Sequence, residues 1–135
     1  MERGFLDHLD LSVTNVGRSA PVYDCLLTAL GYERDMRAPQ DRARWRLTGT
    51  VFSVEIRPAL RAGAYERGAP GLEHVAFRAR NPGDVHAVFD ALQRDGFDVR
   101  EPPRLYHGDD YEHGYYALGL EDPDGIHLEV VHWAE

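Results

Sequence analysis

Four side chains able to hold a divalent ion stand at matching places in two halves of this chain. His8 and His74 each follow a leucine by two positions in an alternating stretch, and Glu55 and Glu129 each lie on a later alternating stretch of the same half. Two imidazoles and two carboxylates suit a borderline divalent ion with positions left open for a substrate. The imidazoles hold the metal, the carboxylates offset its charge, and a carboxylate that detaches can accept a proton. Taken singly these residues say little. A lone strand histidine is more often a hydrogen-bonded structural residue, and a glutamate alternating with Ser53 and Arg57 reads as a solvated face. Their joint recurrence carries the metal-site reading.

The elements that must position them repeat as well. Phe5 to Val13 alternates, with Leu9, Leu11 and Val13 on one face and Leu6, His8, Asp10 and Ser12 on the other. Gly71 to Ala79 has the same design about half a chain later, and period-two alternation reads as a half-buried strand. After the first strand, Ser19 is the expected helix N-cap, and Val22, Cys25, Leu26, Ala29 and Leu30 recur at helical spacing until Gly31. Cys25 on that stripe reads as packing rather than a reactive thiol. Strands are expected at Tyr32–Met36, Ala43–Leu47 and Val51–Arg57. In the second half Asn81, Pro82 and Asp84 predict a helix start, and Val85, Val88, Phe89 and Leu92 its apolar stripe. Gly96 ends it, and strands follow at Phe97–Val99, Gly114–Leu120 and Ile126–His132. Asp122-Pro123-Asp124-Gly125 is a hairpin turn, not a calcium loop. Each half reads βαβββ, an α+β arrangement of two modules, about 5–58 and 71–133, joined by a connector over 59–70 within a single domain spanning 1–135.

The remaining histidines are less telling. His86 is expected on the polar side of its helix. His127 points the same way as Glu129 and is expected to support it from outside the ligand set. Pro102 to His113 reads as a polar, aromatic loop, either a substrate lid or an ordinary solvated loop.

Composition bounds the function classes. The chain has 135 residues, 43% of them hydrophobic and 28% charged, with a net charge of −8. An acidic chain without a basic cluster argues against nucleic acid, and no apolar run reaches the length of a membrane span. The single Cys25 fits a reducing compartment, and the chain leads straight into a strand rather than a signal peptide, so a cytoplasmic protein is expected.

The two βαβββ halves, Gly71-Leu72-Glu73-His74-Val75-Ala76-Phe77 and the segment Glu121 to Val130 together resemble the vicinal oxygen chelate superfamily. It includes glyoxalase I, methylmalonyl-CoA epimerase, extradiol dioxygenases and the fosfomycin- and bleomycin-resistance proteins. The most specific part is the Asp-Pro-Asp-Gly hairpin with Glu129 four residues after Gly125. The resemblance implies curved mixed sheets around a metal cleft, often in a homodimer. It matches His8, Glu55, His74 and Glu129 to the four ligands of the glyoxalase I type, binding one divalent ion (Zn, Ni, Co, Mn or Fe). It makes Glu129 the favoured base, with Glu55 next. The implied activity is that of a lyase or isomerase acting through an enediolate on a small molecule with adjacent oxygens. A toxin- or antibiotic-binding protein without catalysis is the alternative. An iron-dependent dioxygenase is the third reading, which the extra carboxylate of Glu55 disfavours. Ser12, four residues after His8, stands where bacterial relatives carry an arginine that contacts glutathione. The resemblance therefore carries the metal and not the glutathione thioester.

Overall fold

A computed structural model describes residues 3–134. The chain divides into two compact units, one ending at Gly63 and the other starting at Ala64. Each is a four-stranded mixed sheet with one helix, and each is described by itself.

In module one, β1 (His8–Val13), α1 (Val16–Ala29), β2 (Tyr32–Arg34), β3 (Ala43–Leu47) and β4 (Ser53–Pro58) follow in order. The sheet order is β1-β4-β3-β2, with β1 and β4 parallel and the other pairs antiparallel. The helix begins earlier than the sequence suggests. Asn15, not Ser19, is the N-cap, and its side chain accepts a hydrogen bond from the Arg18 amide at 3.0 Å. Such a cap is worth about 1 kcal/mol. Ser19 lies fully buried inside the helix. Pro21 therefore falls beyond the first turn. Gly31 has φ +92, the left-handed conformation that ends a helix without steric cost.

Register sorts the side chains of this sheet into two faces. Trp45 pairs with Val54, and Ala43 pairs with Ile56, which pairs with Leu11. All but Leu11 are fully buried, as are Tyr23, Leu26 and Leu27 of α1, and the Tyr23 ring stacks on Trp45 with centroids 6.1 Å apart. The Trp45 indole donates to Asp24 at 2.8 Å, which satisfies its N–H inside the core. The other face carries His8, Asp10, Arg44, Arg46, Ser53, Glu55 and Arg57, because successive side chains of a strand point to opposite sides. Glu55 is only 2% exposed, which excludes a solvated face for it. It sits on a central strand flanked on both sides.

Module two repeats the plan with β5 (Val75–Arg78), α2 (Pro82–Arg94), β6 (Glu101–Leu105), β7 (Tyr116–Glu121) and β8 (His127–His132), in the order β5-β8-β7-β6. Here the helix start is as expected: Asn81 caps and accepts from the Asp84 amide at 2.9 Å. His86 is exposed and hydrogen-bonded to Tyr116. The strand bounds are shifted by a few residues, with β5 starting only at Val75, and two assignments change. Phe97–Val99 is not a strand, and part of the expected loop is one, because Glu101–Leu105 pairs with β7 despite Pro102 and Pro103. Proline cannot donate to a ladder, but β6 is an edge strand and its register shifts between Glu101 and Arg104. Val85, Val88 and Leu92 of α2 are fully buried, as are Leu118, Leu128 and Val130 of the sheet. The Asp122 carboxylate accepts from the Asp124 amide at 2.8 Å and the Ile126 amide at 2.9 Å, and so fixes the hairpin that leads into β8. Among the described residues, no helix is long and apolar enough to cross a membrane.

Candidate metal centre

Glu129 is at the centre of β8, between Ala76 on β5 and Gly119 on β7. These two small neighbours leave room on the face away from α2. His74, just before β5, places its Nε2 2.9 Å from Glu129 Oε2. His127, two residues before Glu129, shares that face, with Nε2 3.9 Å from Glu129 Oε1 and 3.7 Å from Glu101 Oε2. Glu101, His127 and Glu129 each offer a ligand atom, and these all lie within 4.8 Å of one another. The His74 and His127 rings are 5.9 Å apart and nearly perpendicular.

Separations of 3.7 and 3.9 Å are too long for hydrogen bonds. They match the spacing of about 3–4 Å between atoms that each lie about 2.1 Å from one shared ion. The His127 side chain is 6% exposed. Burial first, and then the charge of Arg67, lowers its pKa. The neutral imidazole that results keeps a lone pair free for a metal. One imidazole and two carboxylates thus fit a borderline divalent ion within module two, with His74 beside Glu129.

The surroundings of Glu129 are charged and aromatic. Arg67 donates to Glu73 at 2.6 Å, and its pKa is raised by that bond and further by Glu101 and Glu129. Tyr115 has its pKa raised by burial and next by the Glu129 charge. It belongs to a cluster in which the Tyr106–Tyr111, Tyr111–Tyr115 and Tyr106–Tyr115 ring centroids are 5.1, 5.3 and 6.1 Å apart. The Arg104 guanidinium lies 4.2 Å from the Tyr106 ring centre. The aromatic segment after β6 is thus packed against itself.

Module one places the matching residues differently. His8 begins β1 with its side chain 57% exposed, and Nδ1 lies 2.7 Å from Asp7. That bond, with the charge of Asp10, raises the His8 pKa. The Glu55 side chain is 3% exposed, and its Oε1 accepts from Arg44 Nε at 3.1 Å and a terminal Arg44 nitrogen at 2.8 Å. Oε2 accepts from Arg57 Nε at 3.0 Å and from a terminal nitrogen of the same group. Burial alone would raise the Glu55 pKa, but hydrogen bonds from Arg44 and Arg57 outweigh it and hold it below the usual carboxylate value. His74 and Glu129 touch, whereas His8 and Glu55 are each engaged by another partner.

Register explains the asymmetry. Glu55 has Arg44 and Asp10 across from it, where Glu129 has Gly119 and Ala76. One module fills the face with guanidinium groups, and the other clears it for imidazoles. Sequence reasoning gave Glu101 no role and His127 only a supporting one. The available signal was Gly119. A glycine inside a central strand marks close approach by another group. A Cβ there would lie 2.3 Å from Glu101 Oε2 and 3.0 Å from His127 Cε1.

Known proteins agree with this architecture. YqjT of Bacillus subtilis (strain 168), an uncharacterised protein, is 27% identical over 128 residues, 93% of this chain and 97% of that protein. A glyoxylase/bleomycin resistance protein/dioxygenase domain from Frankia sp. EAN1pec superposes with a TM-score of 0.73 at 20% identity, covering 99% of this chain and 95% of that one. A glyoxalase/bleomycin resistance protein from Albidiferax ferrireducens T118 gives 0.71 at 22% identity, covering 96% and 98%. A family model matches residues 6–130, and by that match the chain belongs to the Glyoxalase/Bleomycin resistance protein/Dioxygenase superfamily.

Proposed function

We propose that this chain is a metal-dependent lyase or isomerase of the glyoxalase type, acting on a small molecule with adjacent oxygen atoms. The observation that carries this reading is the convergence of His127, Glu101 and Glu129 on one face of module two, with His74 2.9 Å from Glu129. A divalent ion held there supplies Lewis acidity toward the substrate's oxygens. Glu129 is the proton carrier: its Oε2 is oriented by His74, and its other oxygen faces His127 across 3.9 Å. Glu101, with a side chain 43% exposed, can swing aside as substrate enters. By resemblance the protein works as a homodimer.

Metal content measured across substituted proteins tests the ligand set. His74→Ala and Glu101→Gln are expected to lose metal. His8→Ala and Glu55→Gln decide whether those two residues add ligands, as the sequence resemblance implies. For catalysis, metal-loaded Glu129→Gln is expected to lose about two to four orders of magnitude in turnover, the usual share of acid–base catalysis. Solvent deuterium should appear at the substrate carbon beside the carbonyl. Ligand retention without turnover in the unsubstituted protein would instead make this a binding protein, and substrate-dependent oxygen uptake would make it a dioxygenase.

A further inference from the structure

His74 and His127 approach Glu129 from different surroundings. The His127 side chain is buried, so its packing fixes the ring. The His74 side chain is 36% exposed and needs another means of holding its orientation. We infer that Glu73, itself held by Arg67, is a positioning residue: it receives the Nδ1–H of His74 and so aims Nε2 at the ion, a role that rests on the metal reading and deepens it.

Local structure makes the contact available. Neighbouring residues of a strand point to opposite faces, so Glu73 and His74 could not meet inside one. β5 begins only at Val75, and both residues lie in the irregular segment before it. That segment is pinned by the chain that precedes it. A turn over 66–69 is closed by the Ala69 amide, which donates to the Glu66 carbonyl at 3.3 Å, with Gly68 at φ +95. Tyr65, ahead of the turn, sets its hydroxyl 2.5 Å from the Leu72 carbonyl and 3.1 Å from the Glu73 carbonyl. Arg67, within the turn, donates Nε to Glu73 Oε1 at 2.6 Å. A half-exposed carboxylate is thereby held in one place.

The same Oε1 lies 3.4 Å from His74 Nδ1, at the long end of hydrogen-bond distances, and among the described residues Glu73 alone partners that nitrogen. At the far side of the ring, Nε2 lies 2.9 Å from Glu129 Oε2. A neutral imidazole that gives its Nε2 lone pair to a metal carries its one ring proton on Nδ1. Glu73 is the acceptor for that proton. The bond fixes the rotation of the ring and makes Nε2 the stronger donor, as carboxylates behind metal-bound histidines do. Because one oxygen takes both bonds, a glutamine side chain can accept both as well.

Zinc titration by calorimetry on the full chain, with proton nuclear magnetic resonance of the zinc-loaded protein, tests this role. In the unsubstituted protein the His74 Nδ1–H should give a resolved signal that exchanges slowly with water, identified by its correlation with the His74 ring. Glu73→Ala should weaken zinc binding about 10- to 100-fold and lose that signal to exchange. Glu73→Gln removes the charge and keeps the acceptor, so it should recover most of the affinity and the signal. Equal loss of zinc in Glu73→Gln and Glu73→Ala would show that Glu73 acts by its charge or as a ligand, and would overturn the assignment. Unchanged zinc affinity in Glu73→Ala would overturn it too. A zinc-loaded unsubstituted protein without a protected His74 Nδ1–H decides against it even where a variant fails to fold. Absence of zinc binding by the unsubstituted chain would instead overturn the metal reading itself, and this role with it.

Discussion

Gly119→Ala isolates the geometry of the module-two site. The added methyl would stand 2.3 Å from Glu101 Oε2, 3.3 Å from Glu101 Cδ and 3.0 Å from His127 Cε1. Ordinary contact begins near 3.4 Å, so the Glu101 carboxylate must retreat by about 1 Å and the His127 ring by a few tenths. Glu101 can do so cheaply because its side chain is 43% exposed, whereas His127, at 6%, has little space. Metal–ligand distances tolerate only about 0.2 Å. A shift of that size removes Glu101 as a ligand, and metal affinity should fall about 10- to 100-fold. Fold stability should change far less, since overpacking costs about 1–3 kcal/mol and replacing a strand glycine returns about 0.5–1 kcal/mol. The assay is calorimetric zinc titration alongside urea unfolding. A double-mutant cycle sharpens it: with Glu101 already displaced, adding Glu101→Gln should cost nothing further. Unchanged metal affinity in folded Gly119→Ala would refute Glu101 as a ligand, and additive losses would refute the displacement.

Trp45→Phe removes the indole donor to Asp24 and leaves space in a fully buried position, so it should cost about 1–3 kcal/mol in urea unfolding. Asp122→Ala strips the acceptor from two amides of the β7–β8 hairpin. A similar loss of about 1–3 kcal/mol is expected, with weaker metal binding because His127 and Glu129 follow directly. Asp35 supplies an acid-sensitive contribution. Its bonds from Arg37 lower its pKa to about 2, below the unfolded value of about 3.9. That stabilisation is fully present above about pH 4 and is lost as pH falls toward 2. Asp35→Asn should flatten the acid limb of stability against pH, and an unchanged limb would exclude this cause.

How much of this was legible in the residues follows from range. Period-two alternation, the Asn81-Pro82 helix start, the stops at Gly31 and Gly96, and the Asp122–Gly125 turn depend on neighbours a few positions apart. The sequence alone therefore determines the two βαβββ modules and their order, while the contact of a histidine with a glutamate occurs in module two and not in module one. It misplaced β6 because Pro102 and Pro103 forbid a central strand, and only the sheet order shows that this strand is an edge. It read Glu55 as a metal ligand without seeing that Arg44 and Arg57 hold its carboxylate, because alternation reports which face a side chain is on and not what else lies on that face. Tertiary structure decided the rest through cross-strand register. Setting Arg44 opposite Glu55 gives that carboxylate to guanidinium groups, while setting Gly119 opposite Glu129 leaves room for Glu101 and His127 to approach. Strand partners are far apart in the chain and meet only through hydrogen-bonded pairing, so the same His-and-Glu pattern could acquire two different chemistries.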